Sequence, residues 1–572
     1  MDHKQLIPNR ILVVVALVQG FCLLFLHQSI EHQFWPYGSS HWLLALYSVV
    51  LIIPTMLLLG LHKEKELDFV KWLIPAAVIV GLCGYYVGSQ DDFTGRFYRS
   101  EYLLFPFMLT MSIATFKILM YAQQFAEQGR LAFSYSELFR WSWRNFLTLG
   151  LALLFALMVW GILMLWASLF RAIGIHFFYD VFIEGWFYYP VIALAYGFGI
   201  IIFRRLTHII DTISRIQQAL MKFLLVLITF VSIIFLITLP FTGLSPLWES
   251  GGSALILWMQ ALIFFFVNAV YQDDPESRPY NQWLHKFIFI GIALLPAYSA
   301  ISFYGLSLRI DQYGWSVDRL WAFLIWFLLA LFSIGYLWGI IRLREGWQKQ
   351  LSKVNVSVGL VVLVSMLLVN SPILDFRKIT VISQLNLLRE GKISEEEFSI
   401  YYFSRNLSRP GREALEKLKN NKELANPQLA ARITNLLNSA DRNKILSKEE
   451  FISAIHVSEG RAPGSLIDVI YSDLSGLKKW FLRGDETYYL MPLELNDDEV
   501  FEYLFVIKES HGSHVELYVV DEESWSKLDF HRDNAWVYDD KKFLEAVKSG
   551  EYSLAKPKWP KIIVGNEELQ AR

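Results

Sequence analysis

A bundle of about eleven membrane-spanning helices followed by a soluble α+β domain is the fold class this sequence predicts. Three observations carry it. Of the 572 residues 54% are hydrophobic and 16% aromatic, and the mean hydropathy is +0.36, more apolar than a soluble domain with a polar surface. The apolar residues gather into runs near the length that crosses a bilayer core, about 20 residues for about 30 Å. Positive charge alternates between successive connections.

In lipid a backbone must satisfy its own hydrogen bonds, so each long apolar run is predicted to be a helix. The runs are 11–27, 42–62, 69–88, 101–121, 147–170, 186–203, 219–240, 253–271, 284–305, 320–341 and 355–371. The first follows Lys4 and Arg10 and continues through Leu26-His27-Gln28-Ser29 with no small-residue cleavage pattern, so an uncleaved first helix is expected. Pro54, Pro75, Pro106, Pro190 and Pro296 lie inside runs, where each permits a kink that neighbouring helices must compensate. Before the fifth run, Tyr135-Ser-Glu-Leu-Phe-Arg-Trp-Ser-Trp-Arg-Asn-Phe146 interleaves aromatics with arginines. It is expected to lie in the headgroup layer. Tyr196-Gly-Phe-Gly-Ile-Ile-Ile-Phe-Arg204 and Tyr336-Leu-Trp-Gly-Ile-Ile-Arg-Leu-Arg344 echo one another, as parallel four-helix repeats would.

The N-terminus and the connections holding Lys63 and Lys65, Arg130 to Arg144, Arg204 to Arg215, Arg278, and Arg342 to Lys353 carry, with their flanks, about 19 positive residues. The other connections carry about five: Arg96, Arg99, Arg171, Arg309 and Arg319. This bias predicts an N-terminus in the cytoplasm and a chain that leaves its last span on the opposite side.

Two domains are expected, the bundle over 1–375 and a soluble domain over 376–572. In the second, Ile393-Ser-Glu-Glu-Glu-Phe398 and Arg412-Glu-Ala-Leu-Glu-Lys-Leu418 show helical spacing, and Ser447-Lys-Glu-Glu450 is a capping box, so 376–460 is expected to be helical. Residues 487–495, 501–508 and 514–521 are rich in β-branched and aromatic residues between polar turns, which predicts antiparallel strands within about 485–540.

Function classes narrow by exclusion. A formal charge of -2 without a basic block gives nucleic acid no electrostatic footing. Cys22 and Cys83 both lie in apolar runs, so the soluble domain has no disulfide framework or cysteine metal site. There is no Walker lysine loop, Gly-x-Ser-x-Gly elbow or His-Glu-x-x-His pair.

Several segments together resemble a bacterial inner-membrane family catalogued as domain of unknown function 4153. They are Leu138-Phe-Arg-Trp-Ser-Trp-Arg-Asn-Phe146, Leu169-Phe-Arg-Ala-Ile-Gly-Ile-His-Phe-Phe178, Pro190-Val-Ile-Ala-Leu-Ala-Tyr-Gly-Phe-Gly199, Arg309-Ile-Asp-Gln-Tyr-Gly-Trp-Ser-Val-Asp-Arg-Leu-Trp321, Ser383-Gln-Leu-Asn-Leu-Leu-Arg-Glu-Gly391 and Gly411-Arg-Glu-Ala-Leu415. The resemblance implies an inner-membrane location with the last domain in the periplasm. It transfers no catalytic residue.

Two constellations invite inspection. His176, Asp180 and Glu184 share one face of a helix at four-residue spacing, yet an interfacial helix needs a polar face in any case. Arg171 is expected to balance the two carboxylates. Glu494, Asn496, Asp498 and Glu502 stand at positions 1, 3, 5 and 9 of a calcium-loop pattern. Glu499 occupies the sixth position, where glycine makes the sharp turn, so a solvated acidic turn is expected. Asp441-Arg-Asn443 fails the same pattern, because Ile445 and Ile452 fall where ligands are needed. Within the spans Gln19 and Gln260 are neutral, Lys117 and Asn268 are expected near the cytoplasmic ends, and no Asp, Glu or Arg falls mid-membrane. This weakens an ion-coupled transport reading.

The leading expectation is a non-enzymatic inner-membrane protein, without cofactor or metal, that binds a periplasmic protein or envelope component through its last domain. The rivals are a permease or lipid-handling protein working through the bundle, and an envelope enzyme for which Asp180, Glu184 and Arg309 are the groups to inspect.

Overall fold

In the computed structural model of the chain the described residues are 9–61, 67–90, 101–130, 133–244, 252–271, 279–395, 398–421, 427–440, 448–458 and, from 460 to 569, those of the elements named below and their immediate neighbours. The chain divides into two compact units, Met1–Asn426 and Pro427–Arg572. The packing boundary therefore falls later than the change of composition at 375.

Every apolar run is helical. In order come α1 (Asn9–Glu31), α2 (Ser40–Gly60), α3 (Leu67–Gly88), α4 (Glu101–Gln128), α5 (Tyr135–Ala172), the short α6 (Phe177–Ile183), α7 (Gly185–Phe203), α8 (Thr207–Thr242), α9 (Ser253–Val270), α10 (Gln282–Ala293), α11 (Leu295–Tyr313), α12 (Val317–Leu343) and α13 (Trp347–Val369). Among the described residues ten helices are long and apolar enough to cross a membrane, with α10 and α11 counted as one, and α9 adds a shorter apolar helix. Their outward faces stay apolar: Ile74, Leu157, Ile162, Trp258 and Phe241 are 66–86% exposed. Water does not tolerate such surfaces on this scale, whereas lipid does.

Glycine and alanine set the closest helix pairs. A Cβ on Gly84 of α3 would stand 2.9 Å from the Ala45 Cα of α2, and one on Gly88 would stand 2.6 Å from the Ser40 carbonyl. Gly197 of α7 meets Ala16 of α1 in the same way, and Gly199 meets Ala152 of α5. Lipid-embedded helices gain little from the hydrophobic effect and associate through such close backbone approach.

One sequence expectation changes. Tyr135–Ala172 is one helix of 38 residues, about 57 Å long at 1.5 Å per residue, so 135–146 is the first part of the fifth span's helix and not a separate segment lying flat. One of its faces is inside the protein: Tyr135, Leu138 and Trp141 are buried, while Phe146 stays exposed, and the Tyr135 hydroxyl donates to the Asn268 carbonyl at 2.9 Å. The ninth run carries its expected proline kink as a break at Leu294 into α10 and α11, with Pro296 in the first turn of α11. There Gln260 of α9 donates to the Leu295 carbonyl at 3.3 Å and to the Ser299 and Ser333 hydroxyls, each at 2.6 Å. Lys117 packs against α13 near the start of that helix's apolar run, 355–371. A Cβ on Gly359, halfway along α13, would lie 3.5 Å from its Nζ and 2.9 Å from the Tyr121 hydroxyl.

After the bundle, α14 (Phe376–Arg389), α15 (Ile400–Arg405) and α16 (Ser408–Lys419) complete the first unit. The second unit holds α17 (Pro427–Ala440), α18 (Lys448–Ala454), β1 (Ile455–Val457), α19 (Gly464–Ser475), β2 (Thr487–Leu493), β3 (Glu502–Glu509), β4 (Gly512–Asp521), β5 (Ser524–Leu528), α20 (Asp540–Ser549), β6 (Ile562–Val564) and β7 (Glu567–Leu569). The sheet runs β1-β2-β3-β4-β5. β1 lies parallel to β2, and the other pairs are antiparallel, with Leu490 opposite Phe505 and Phe505 opposite Glu516. Phe451, Ile470, Tyr488, Phe505 and Tyr518 form its core. Ser447 of the capping box and Asp441 to Asn443 lie outside the described residues.

Candidate functional site

The residues that join α14 to the bundle also create a groove. Asp375 caps α14, its carboxylate accepting from the Arg377 backbone N–H at 3.0 Å. The same carboxylate takes a bidentate grip from the Arg377 guanidinium, at 2.8 and 2.9 Å, and the Tyr86 hydroxyl of α3 at 2.5 Å. Asp375 is 3% exposed and Arg377 8%. Burial alone would raise the Asp375 pKa, but the Arg377 hydrogen bonds and charge and the Tyr86 hydroxyl outweigh it and hold the carboxyl below its usual range.

One face of α14 is docked on the bundle. Ser383 accepts from the Trp315 N–H at 2.9 Å, and Gln384 donates to the Tyr313 and Trp315 carbonyls. The opposite face, at helical spacing, presents Lys378, Val381, Ile382, Leu385 and Arg389. Facing it is α16, with Arg409, Glu413, Ala414, Lys417 and Leu418. α16 is locked to α15 at Gly411, where a Cβ would lie 2.0 Å from the Phe403 carbonyl. The Arg409 N–H donates to the Gln90 carbonyl just past the end of α3, at 2.9 Å.

The groove between the two helices is a cavity of about 610 Å³. Four cations line it (Lys378, Arg389, Arg409 and Lys417) against one carboxylate, Glu413, and its walls are apolar between them. A second cavity of about 340 Å³ adjoins it, sharing Gln90 and Arg409, and is lined by Ser39, Ser40, His41, Ser89 and Arg412. The arrangement suits a ligand that is anionic and partly apolar.

The residues singled out in the sequence lie elsewhere. His176, Asp180 and Glu184 are exposed around the seven-residue α6, and Arg309 is exposed on α11. Arg171 lies over the Tyr179 ring at 4.7 Å, where an aromatic face holds its charge. Asn496 and Asp498 are outside the described residues. Of their neighbours, Glu502 is buried and accepts from the Leu495 N–H at 3.0 Å, and the Glu494 N–H donates to the Tyr552 hydroxyl. Among the described residues no group of three or more His, Cys, Asp or Glu side chains is placed to hold a metal ion. In the sequence the groove was covered only by the expectation that 376–460 is helical, because its walls are separated along the chain and nothing local pairs them.

The family model described as "Domain of unknown function (DUF4153)" matches residues 14–418. The chain belongs to this family. The matched stretch takes in the spans, α14, α15 and nearly all of α16, and with them the groove, while the Pro427–Arg572 unit follows it. Comparison with curated proteins and with solved structures returned no match.

Proposed function

We propose that this DUF4153 member is a multi-pass protein of a bacterial inner membrane, with its N-terminus in the cytoplasm and its groove on the periplasmic side. Its work is to bind an anionic envelope component between α14 and α16. The alternating charge of the connections supports the orientation, and the resemblance to an inner-membrane family supports the membrane. The single observation that carries the binding reading is the groove: a cavity of about 610 Å³ with four cations, one carboxylate and apolar walls, fixed to the end of α3.

The test is purification from the host membrane in mild detergent, comparing the wild type with a variant in which Lys378, Arg389, Arg409 and Lys417 are all glutamine. An acidic component should accompany the wild type and be lost from the variant. Equal retention by both would contradict the reading.

A permease reading draws on a different place, the Lys117 amine beside the middle of α13 and the broken α10–α11 helix bridged by Gln260. Ionisable and polar groups inside a bundle mark transport paths in many membrane proteins. It would take the lead if Lys117→Met abolished the phenotype of the intact gene and the fourfold groove variant preserved it.

A further inference from the structure

The order of charge along the groove says more about the ligand. Lys378 Nζ lies 5.6 Å above the Tyr86 ring, and the Arg409 N–H binds the Gln90 carbonyl. Tyr86 and Gln90 are one turn apart at the end of α3, so α14 and α16 both start there and leave side by side. Lys378 and Arg409 therefore mark the bundle end of the groove. Arg389 and Lys417, eleven and eight residues further on by sequence number, mark its outer end, about 12–17 Å away at 1.5 Å per residue. Between the two pairs the wall is Val381, Ile382, Leu385, Ala414 and Leu418, and Ile382 is 62% exposed.

The bundle end opens onto the smaller cavity, whose Ser39, Ser40, His41, Ser89 and Arg412 side chains can hydrogen-bond hydroxyl and phosphate oxygens. It also lies where the apolar length of α3 stops, which is headgroup depth for a spanning helix. Arg409 is held by Glu413 at 2.7 Å in an exposed pair. Such a pair is weak, and the guanidinium keeps N–H groups for a further oxyanion.

From this arrangement we infer that the groove takes a phospholipid of net negative charge: its phosphate between Lys378 and Arg409, its polar headgroup in the adjoining cavity, and the start of its acyl part along Ile382 and Leu385. The inference rests on the binding reading above and names the ligand class for the same site.

The test uses the full-length chain in detergent and native mass spectrometry with four probes: phosphatidylglycerol, phosphatidylcholine, dodecanoate and glycerol 3-phosphate. Phosphatidylglycerol should bind about tenfold more tightly than the other three, the effect of one well-placed charge-assisted contact. The double variant Lys378→Gln with Arg409→Gln should lose at least about tenfold of that affinity, and Ile382→Asp should weaken it independently. Lys419→Gln, which removes a charge from the same helix outside the groove, should leave it unchanged. Tight binding of glycerol 3-phosphate would overturn the lipid and leave a soluble phosphate ligand. Dodecanoate binding as well as phosphatidylglycerol would overturn phosphate selection while sparing the broader anion reading. If no probe bound, or if Lys419→Gln weakened binding as much as the double variant, the inference and the proposed function would both fall.

Discussion

Asp375 does at the level of one residue what the composition change at 375 conceals. The sequence turns soluble there, yet the carboxylate ties the new segment to Tyr86 in the bundle and neutralises Arg377 in a place with little water. Removing one partner of a buried pair leaves the other uncompensated, so Asp375→Asn is expected to cost about 3 kcal/mol, read as a lower Tm of the detergent-purified chain. The folded carboxyl is held below its ordinary value of 3.8. Its stabilisation is therefore complete above that value and is lost as the pH falls through the still lower folded pKa. The wild-type Tm should drop faster than that of Asp375→Asn below about pH 4; parallel pH profiles would contradict the assignment. Local sequence shows an Asp-Phe-Arg triplet at a helix start, but not the tyrosine nearly three hundred residues earlier that makes it a latch. For Lys117 the position along its run was legible, while the glycine of α13 that makes room for its amine was not.

Among the elements, the spans were legible because lipid imposes one rule on every residue that crosses it: an apolar run of sufficient length has to be a helix. The limits of the runs were less so. Nothing in Tyr135–Phe146 breaks a helix, so the fifth span's helix continues through it, and buried partners claim aromatics that looked like membrane anchors. Helix pairing was hidden too, since a glycine in a run declares no partner. Gly84 and Gly150 make the contrast measurable: a Cβ on Gly84 meets the α2 backbone, and one on Gly150 meets nothing within 4 Å. Gly84→Leu should destabilise the purified chain by at least about 2 kcal/mol, as overpacking does. Gly150→Leu should leave the Tm unchanged or raise it slightly, because leucine suits a helix better than glycine. Equal Tm values for the two variants would remove close α2–α3 packing from the account. The groove belongs at this scale as well: Lys378 to Arg389 and Arg409 to Lys417 both fall in the stretch expected to be helical, and only the fold sets one against the other.

For the whole molecule, the sequence carried the fold class, a bundle and then an α+β unit, because two hydrophobic periods succeed one another along the chain. It did not carry the unit boundary, which depends on contacts made by α14 to α16 and not on composition. The proposed orientation, drawn from the alternation of charge between the spans, has the groove outside the cytoplasm, and the binding reading depends on that side. The most direct test is labelling in intact spheroplasts with a membrane-impermeant maleimide, on a background in which Cys22 and Cys83 are alanine. A cysteine in place of Asn421, at the groove, should react at once, and one in place of Gln128, at the far end of α4, should react only after permeabilisation. The reverse pattern would contradict the orientation and, with it, the placement of the groove in the envelope.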